Sequence, residues 1–179
     1  TARLVSALED TPPTTPAWTW SNEQTVGFTY RRQAHEAAMH RLDAELAAGA
    51  TRTPLDPGLA TDGVDEALRV MFGGCPPWGT IGDVDETQSV RLVASDTGAA
   101  WLVRMARFTG VDPDGTAYDE PDIATAPADP GTAAAATVTA TAEDLLCWMW
   151  RRPTRGPIDS QGPAEVLDAV VALITQPIN

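Results

Sequence analysis

NEQTVGFTYRRQAHEAAMHRLDAELAAG, residues 22–49, is the stretch on which the reading of this chain turns, because both histidines of the sequence lie inside it. Ser21 offers an N-cap with Gln24 as its capping-box partner, and the interior is rich in Ala, Glu, Arg and Leu. Gly49 stands where a helix stops, so the pattern predicts one long helix. Val26, Tyr30 and Ala37 read as its apolar stripe.

Helical residues advance about 100° each, so His35 and His40, five apart, point about 140° away from each other and cannot share one small ion. That separates this helix from the HExxH metalloprotease pattern, whose histidines are four apart. Glu36 and His40 are four apart, about 40° from each other, and offer a carboxylate oxygen and an imidazole nitrogen to one point. Asp43 and Gln33 border that face. Spacing alone fits a solvated ion pair more often than it fits a metal pair. His35, on another face, reads as a packing or supporting residue.

The length of 179 residues allows one ordinary domain, or a small domain joined to part of another. A formal charge of -13 and a pI near 4.3 exclude nucleic acid and anionic membrane surfaces as partners, since phosphate binding needs clustered basic residues. All twelve basic residues are Arg, and Ala, Thr, Asp, Gly and Pro abound, which points to a high-GC bacterial source. Cys75 and Cys147 are far apart and in no metal spacing, so they read as thiols outside any disulfide, mostly buried. No apolar run reaches the roughly 18–20 residues of a membrane helix and no leader opens the chain, which gives a cytoplasmic expectation. The chain starts at Thr1 rather than Met, which reads as the later part of a longer protein.

Residues 1–8 have Leu4, Val5 and Leu8 at helical spacing, and the prolines of 11–16 end that helix. Trp18 and Trp20 stand where they staple the entry of the long helix. Residues 50–61 are short, polar and carry two prolines, as a linker does. A helix is expected over 62–72 with Asp62 as N-cap, closed by Gly73 and Gly74. Residues 89–94 and 100–108 form a β-hairpin around Ser95-Asp96-Thr97-Gly98, residues 111–130 read as a loop, and 133–140 as a third strand. Thr141 caps a buried helix over 141–151, and an amphipathic helix over 163–174 follows.

The runs RRQAHEAAMHRLDAE, DGVDEAL, ASDTGAAWLVR and TAEDLLCWMWRR resemble, in this order, the signatures of the mycothiol-dependent maleylpyruvate isomerase family of actinobacteria. The resemblance implies an α+β protein: a DinB-like metal-binding helical bundle, here its C-terminal part at 1–58, followed at 59–179 by a small sterol-carrier-like domain with an antiparallel sheet. It implies that Glu36 and His40 bind a divalent metal, taken as zinc, with mycothiol as the thiol cofactor. The third family ligand, a histidine from an earlier helix, has no counterpart here. Only residues 1–8 precede the Trp-rich segment, so the first bundle helices are missing from this sequence. Either the sequence is a fragment, or another chain completes the bundle by association, or the metal site has been lost. The implied reaction adds a mycothiol thiolate to a cis double bond of a small anionic substrate and releases the trans isomer. Arg152, or its neighbour Arg151, holds the place of the family's substrate-binding arginine. The alternatives are a mycothiol S-transferase on the same site and a non-enzymatic binding or regulatory module.

Overall fold

The computed structural model describes residues 2–176, and the chain divides into two units, Thr1–Leu55 and Asp56–Asn179. The fold is α+β, with N-terminal helices followed by a five-stranded sheet and its own helices. No helix among the described residues is long and apolar enough to cross a membrane.

In the first unit, α1 (Ala2–Glu9) ends at Thr11, whose hydroxyl donates to the Ala7 carbonyl at 2.7 Å. The proline segment then runs back along the entry of α2 (Val26–Ala47): Val26 N–H donates to Thr15 O at 2.9 Å and Gly27 N–H to Pro13 O at 2.7 Å. Trp20 meets Phe28 edge-on at 5.2 Å as the expected aromatic staple, whereas Trp18, 84% exposed, takes no part in it. The N-cap is Thr25 rather than Ser21; its hydroxyl accepts from Phe28 N–H at 3.1 Å. Gln24 is the reason, since its amide closes a loop onto Thr19 O at 2.7 Å and Ser21 O at 2.5 Å and so keeps residues 21–24 out of the helix. At the far end Gly49, at φ +60°, closes a Schellman turn through Ala50 N–H to Glu45 O and Gly49 N–H to Leu46 O. The buried residues of α2 are Phe28, Arg32, His35, Ala38, Met39 and Leu42. Val26 and Tyr30 are half-buried and Ala37 is exposed, so they do not form the stripe. The true stripe contains two polar side chains, Arg32 and His35, which apolar periodicity passes over.

The second unit begins at α3 (Pro57–Glu66), five residues earlier than Asp62 predicts. Asp56 is its cap, accepting from Leu59 N–H at 2.9 Å, and Pro57 occupies the first turn, where its fixed φ is favourable. The helix widens into a π-helical segment at Ala67–Phe72, and Gly73 N–H closes it on Leu68 O at 3.0 Å. β1 (Gly79–Ala94) and β2 (Ala100–Val111) form the expected hairpin, with Gly98 at φ +74° in the turn. Residues 111–130 are not a loop: β3 (Ala117–Ala128) pairs with β2 along its whole length. β4 (Ala136–Ala140) lies beside β1 and parallel to it, and β5 (Asp159–Gln161) pairs with β4, giving the order β3-β2-β1-β4-β5. The sheet is therefore mixed rather than antiparallel, because the chain passes through β2 and β3 before returning to β1's other edge.

One sheet face, with Val90, Leu92, Val103, Ile123 and Val138 at 0–1% exposure, is the core. α5 (Ala164–Ile174) packs on β1, β2 and β3, while α4 (Ala142–Met149) packs on α3 and β4. Val64, Leu68, Leu145, Met149, Val170 and Ile174 complete that core. Each such side chain contributes about 1.5–3 kcal/mol relative to exposure.

Candidate functional site

The chemistry expected of α2 sits on a polar ladder along one face: Arg32, Glu36, His40 and Asp43, at successive spacings of four, four and three. Arg32, buried to 9% exposure, brings Nη2 to 2.5 Å from Glu36 Oε1. The other oxygen, Oε2, stands 3.0 Å from His40 Nε2. The second ring nitrogen, Nδ1, lies 3.5 Å from Asp43 Oδ2. The carboxylate of Glu36 is thus fixed from one side by a guanidinium and aimed from the other at the imidazole. His40 remains open to solvent, with 69% of its side chain exposed. His35 is buried at 3% exposure on the other face of the helix, which fits a packing residue.

Does this pair suit a divalent metal? Two ligands at about 2.0–2.1 Å on one tetrahedral ion have donors about 3.3 Å apart, close to the 3.0 Å between Oε2 and Nε2. That distance suits a shared ion and a plain Glu36–His40 ion pair alike. Asp43 cannot be the third, since it faces the opposite ring nitrogen. Among the described residues no group of three His, Cys, Asp or Glu side chains could hold a metal ion.

The arginine segment follows α4 in the second unit. Thr141 caps α4, accepting from Asp144 N–H at 3.1 Å and donating its hydroxyl to Asp144 Oδ2 at 2.8 Å. Asp144, 3% exposed, also accepts from the backbone N–H of Arg155 at 2.6 Å and of Gly156 at 3.2 Å. One buried carboxylate thereby ties the start of α4 to the loop beyond its end. The helix closes in a Schellman turn, Arg152 N–H to Cys147 O and Arg151 N–H to Trp148 O. Arg151 occupies the left-handed position of that turn, at φ +59°, where Gly49 sits in the corresponding turn of α2.

The three arginines of the segment differ in availability. Arg155 Nε pairs with Glu143 at 2.8 Å, and that hydrogen bond holds its guanidinium still more firmly protonated. Arg152 is half-buried and donates from Nη1 to Trp150 O at 2.7 Å. Arg151 is exposed. A shallow groove of about 400 Å³ also opens in this unit beside Trp101, but it carries Asp62 and Asp65. Those carboxylates make it a poor receptor for an anion. Cys75 and Cys147 form no disulfide; Cys147 is buried and Cys75 half-buried.

Two family models match the chain. The mycothiol maleylpyruvate isomerase N-terminal domain matches residues 1–45, the region of the polar ladder, and the MDMPI C-terminal domain matches residues 58–169. The chain belongs to the mycothiol maleylpyruvate isomerase family. No curated protein and no solved structure matches it. Sequence reasoning singled out Glu36, His40 and the arginine segment, but passed over Arg32, which pairs with Glu36, and the bonds that Asp144 makes to the loop. The signal for Arg32 was present in its own i,i+4 spacing to Glu36.

Proposed function

We propose that this chain serves a metal- and mycothiol-dependent cis–trans isomerisation of the maleylpyruvate isomerase type. The observation that supports it most is the coincidence of the N-terminal family match with a Glu36–His40 pair at ligand spacing. A divalent ion supplies the positive charge that lowers a thiol's pKa, so that the mycothiol sulfur is a thiolate competent to add to a cis double bond.

The chain's own residues have separate tasks in this reading. Glu36 and His40 are ligands, and Arg32 keeps one oxygen of Glu36 occupied so that the other faces His40. Arg152 pairs with a carboxylate of the substrate, a charge-assisted contact that a protein of net charge -13 must supply locally. The remaining metal ligand comes from outside the described residues.

The test is isomerase activity of the full-length protein with mycothiol, maleylpyruvate and added zinc, alongside metal stoichiometry of its Glu36→Ala and His40→Ala variants. Loss of bound metal and activity in both variants is expected; unchanged metal content in both refutes the ligand assignment. A non-enzymatic binding module is the second reading, favoured by the absence of a third donor among the described residues. Metal-independent binding of mycothiol without turnover would select it. Conjugation of mycothiol to an electrophile, without isomerisation, would select an S-transferase instead.

A further inference from the structure

β3 is an edge strand, so one side of its backbone meets no other strand of the sheet. Which groups stand on that side follows from the hairpin turn. Ala94 N–H donates to Ala99 O, so the alternate residues of β2 that follow, Trp101 and Val103, bond to β1. The residues between and after them, Leu102, Arg104 and Ala106, turn to β3, where they meet Ala126, Ala124 and Asp122. The intervening positions of β3, Asp119, Pro121, Ile123, Thr125 and Pro127, therefore direct their backbone groups away from the sheet.

Most of that edge is shut. Pro121 and Pro127 bring no N–H to it. Arg107, whose Nε pairs with the Asp119 carboxylate, reaches Asp119 O from Nη2 at 3.5 Å. Between the two prolines Asp122 Oδ1 accepts the N–H of Ile123 at 2.6 Å. We propose that this stretch of β3 is a self-pairing surface and that Asp122 holds it closed. The occupant it fits is β3 of a second copy, antiparallel about a two-fold axis at Ala124. In that register Ile123 of each copy faces Thr125 of the other, and such pairs exchange about four backbone hydrogen bonds in all. Pro121 then faces Pro127, so the positions without an N–H oppose one another and leave no donor stranded. Ala124 and Ala126, half-buried and small, set no bulk beside the junction. The bond from Ile123 N–H to Asp122 takes the donor that each pair needs and puts a carboxylate at the junction. None of these residues belongs to the proposed metal or substrate site.

Two measurements on the full chain test this, the first without any variant. Amide hydrogen exchange in the wild type compares Ile123 with Thr125, which faces the same edge. After correction for intrinsic rates, Ile123 N–H should exchange about tenfold or more slowly than Thr125 N–H. Equal rates would show that Asp122 does not hold the Ile123 donor and would overturn the proposal.

The second is sedimentation equilibrium across a concentration series. Asp122→Ala, and Asp122→Val as the better strand former, should move the weight-average mass toward about twice that of wild type as concentration rises. Asp122→Asn keeps an acceptor for Ile123 N–H and should sediment as the wild type does. Asp122→Ala/Thr125→Pro removes the other donor of each pair at a position where proline is tolerated, and should return to the wild-type mass. Wild-type mass in both Asp122→Ala and Asp122→Val would overturn the proposal. So would association that persists with Thr125→Pro, since it would run through another surface.

Discussion

Asp144→Ala removes a buried side chain that, beside the Glu143–Arg155 pair, joins the start of α4 to the arginine segment. The carboxylate accepts from Thr141 Oγ1 at 2.8 Å and from the backbone N–H groups of Arg155 and Gly156 at 2.6 and 3.2 Å, with 3% exposure. An orphaned buried donor costs about 1–3 kcal/mol, and the low end applies because Arg155 is exposed and its loop can rehydrate. A negative charge in the first helical turn adds about 0.3–1 kcal/mol. The expected destabilisation is therefore about 2–4 kcal/mol. For a unit of this size that lowers Tm by roughly 6–20 °C, from the ~3–5 °C expected per kcal/mol. Thermal unfolding followed by circular dichroism measures it, with Asp144→Asn as the isosteric control that keeps one acceptor and falls between. A Tm within about 2 °C of wild type for Asp144→Ala would show that water replaces these bonds and that the carboxylate is no anchor.

Arg152→Lys keeps the charge but loses the planar fork, so kcat/KM should fall roughly tenfold or more with metal content and Tm unchanged; wild-type kinetics would move the role to Arg151. Arg151→Gly relieves a left-handed conformation that costs a side chain about 1–2 kcal/mol, against about 0.5–1 kcal/mol of added chain entropy. Differential scanning calorimetry should thus show a Tm a few degrees higher, and a lower Tm would mean that the Arg151 side chain makes stabilising contacts. Burial, reinforced by the nearby charge of Glu120, raises the pKa of Asp122 above the ordinary carboxylate range. Its charged form is disfavoured in the fold, so the penalty is absent in acid and grows as pH rises through the ordinary range toward the raised folded value. Asp122→Asn should accordingly stabilise at neutral pH and lose that advantage in acid; an equal Tm gain at both pH values would refute the charge argument.

Elements with strong local punctuation were legible from sequence. The turn around Gly98, the Thr141 cap and the Gly49 stop each place one residue type in a conformation it favours, so the turn end of the β1–β2 hairpin, α4 and the end of α2 emerged near their observed bounds, whereas β1 begins at Gly79, ten residues before the expected Ser89. What failed depended on tertiary partners. Ser21 and Thr25 are both acceptable caps, and the choice was made by Gln24 binding Thr19 across a loop. β3 gave no strand signal because, as an edge strand, it buries only Ile123 and carries Pro121, Pro127 and several acids elsewhere. β5 is three exposed residues that belong to the sheet only through β4. At the candidate site, helical spacing gave the Glu36–His40 pair, because i,i+4 geometry is local. The Asp144 clamp was hidden, because it links residues eleven and twelve positions apart through a loop with no periodicity.

The parallel pairing of β1 with β4 also sets a timetable for synthesis. β1 ends at Ala94, whereas β4 begins only at Ala136, so one edge of β1 waits while β2 and β3 emerge on the other side. At ~5–20 residues per second that wait lasts about 2–8 s. During it the run Ser89-Val90-Arg91-Leu92-Val93-Ala94 presents unpaired backbone beside Val and Leu, the composition that recruits foreign strands. Arg91 is the one charge in that run. In the nascent chain it is a gatekeeper against mispairing, and in the finished sheet the same guanidinium is spent on the arriving segment, bonding Thr132 O and, at 3.0 Å, the Thr137 hydroxyl of β4.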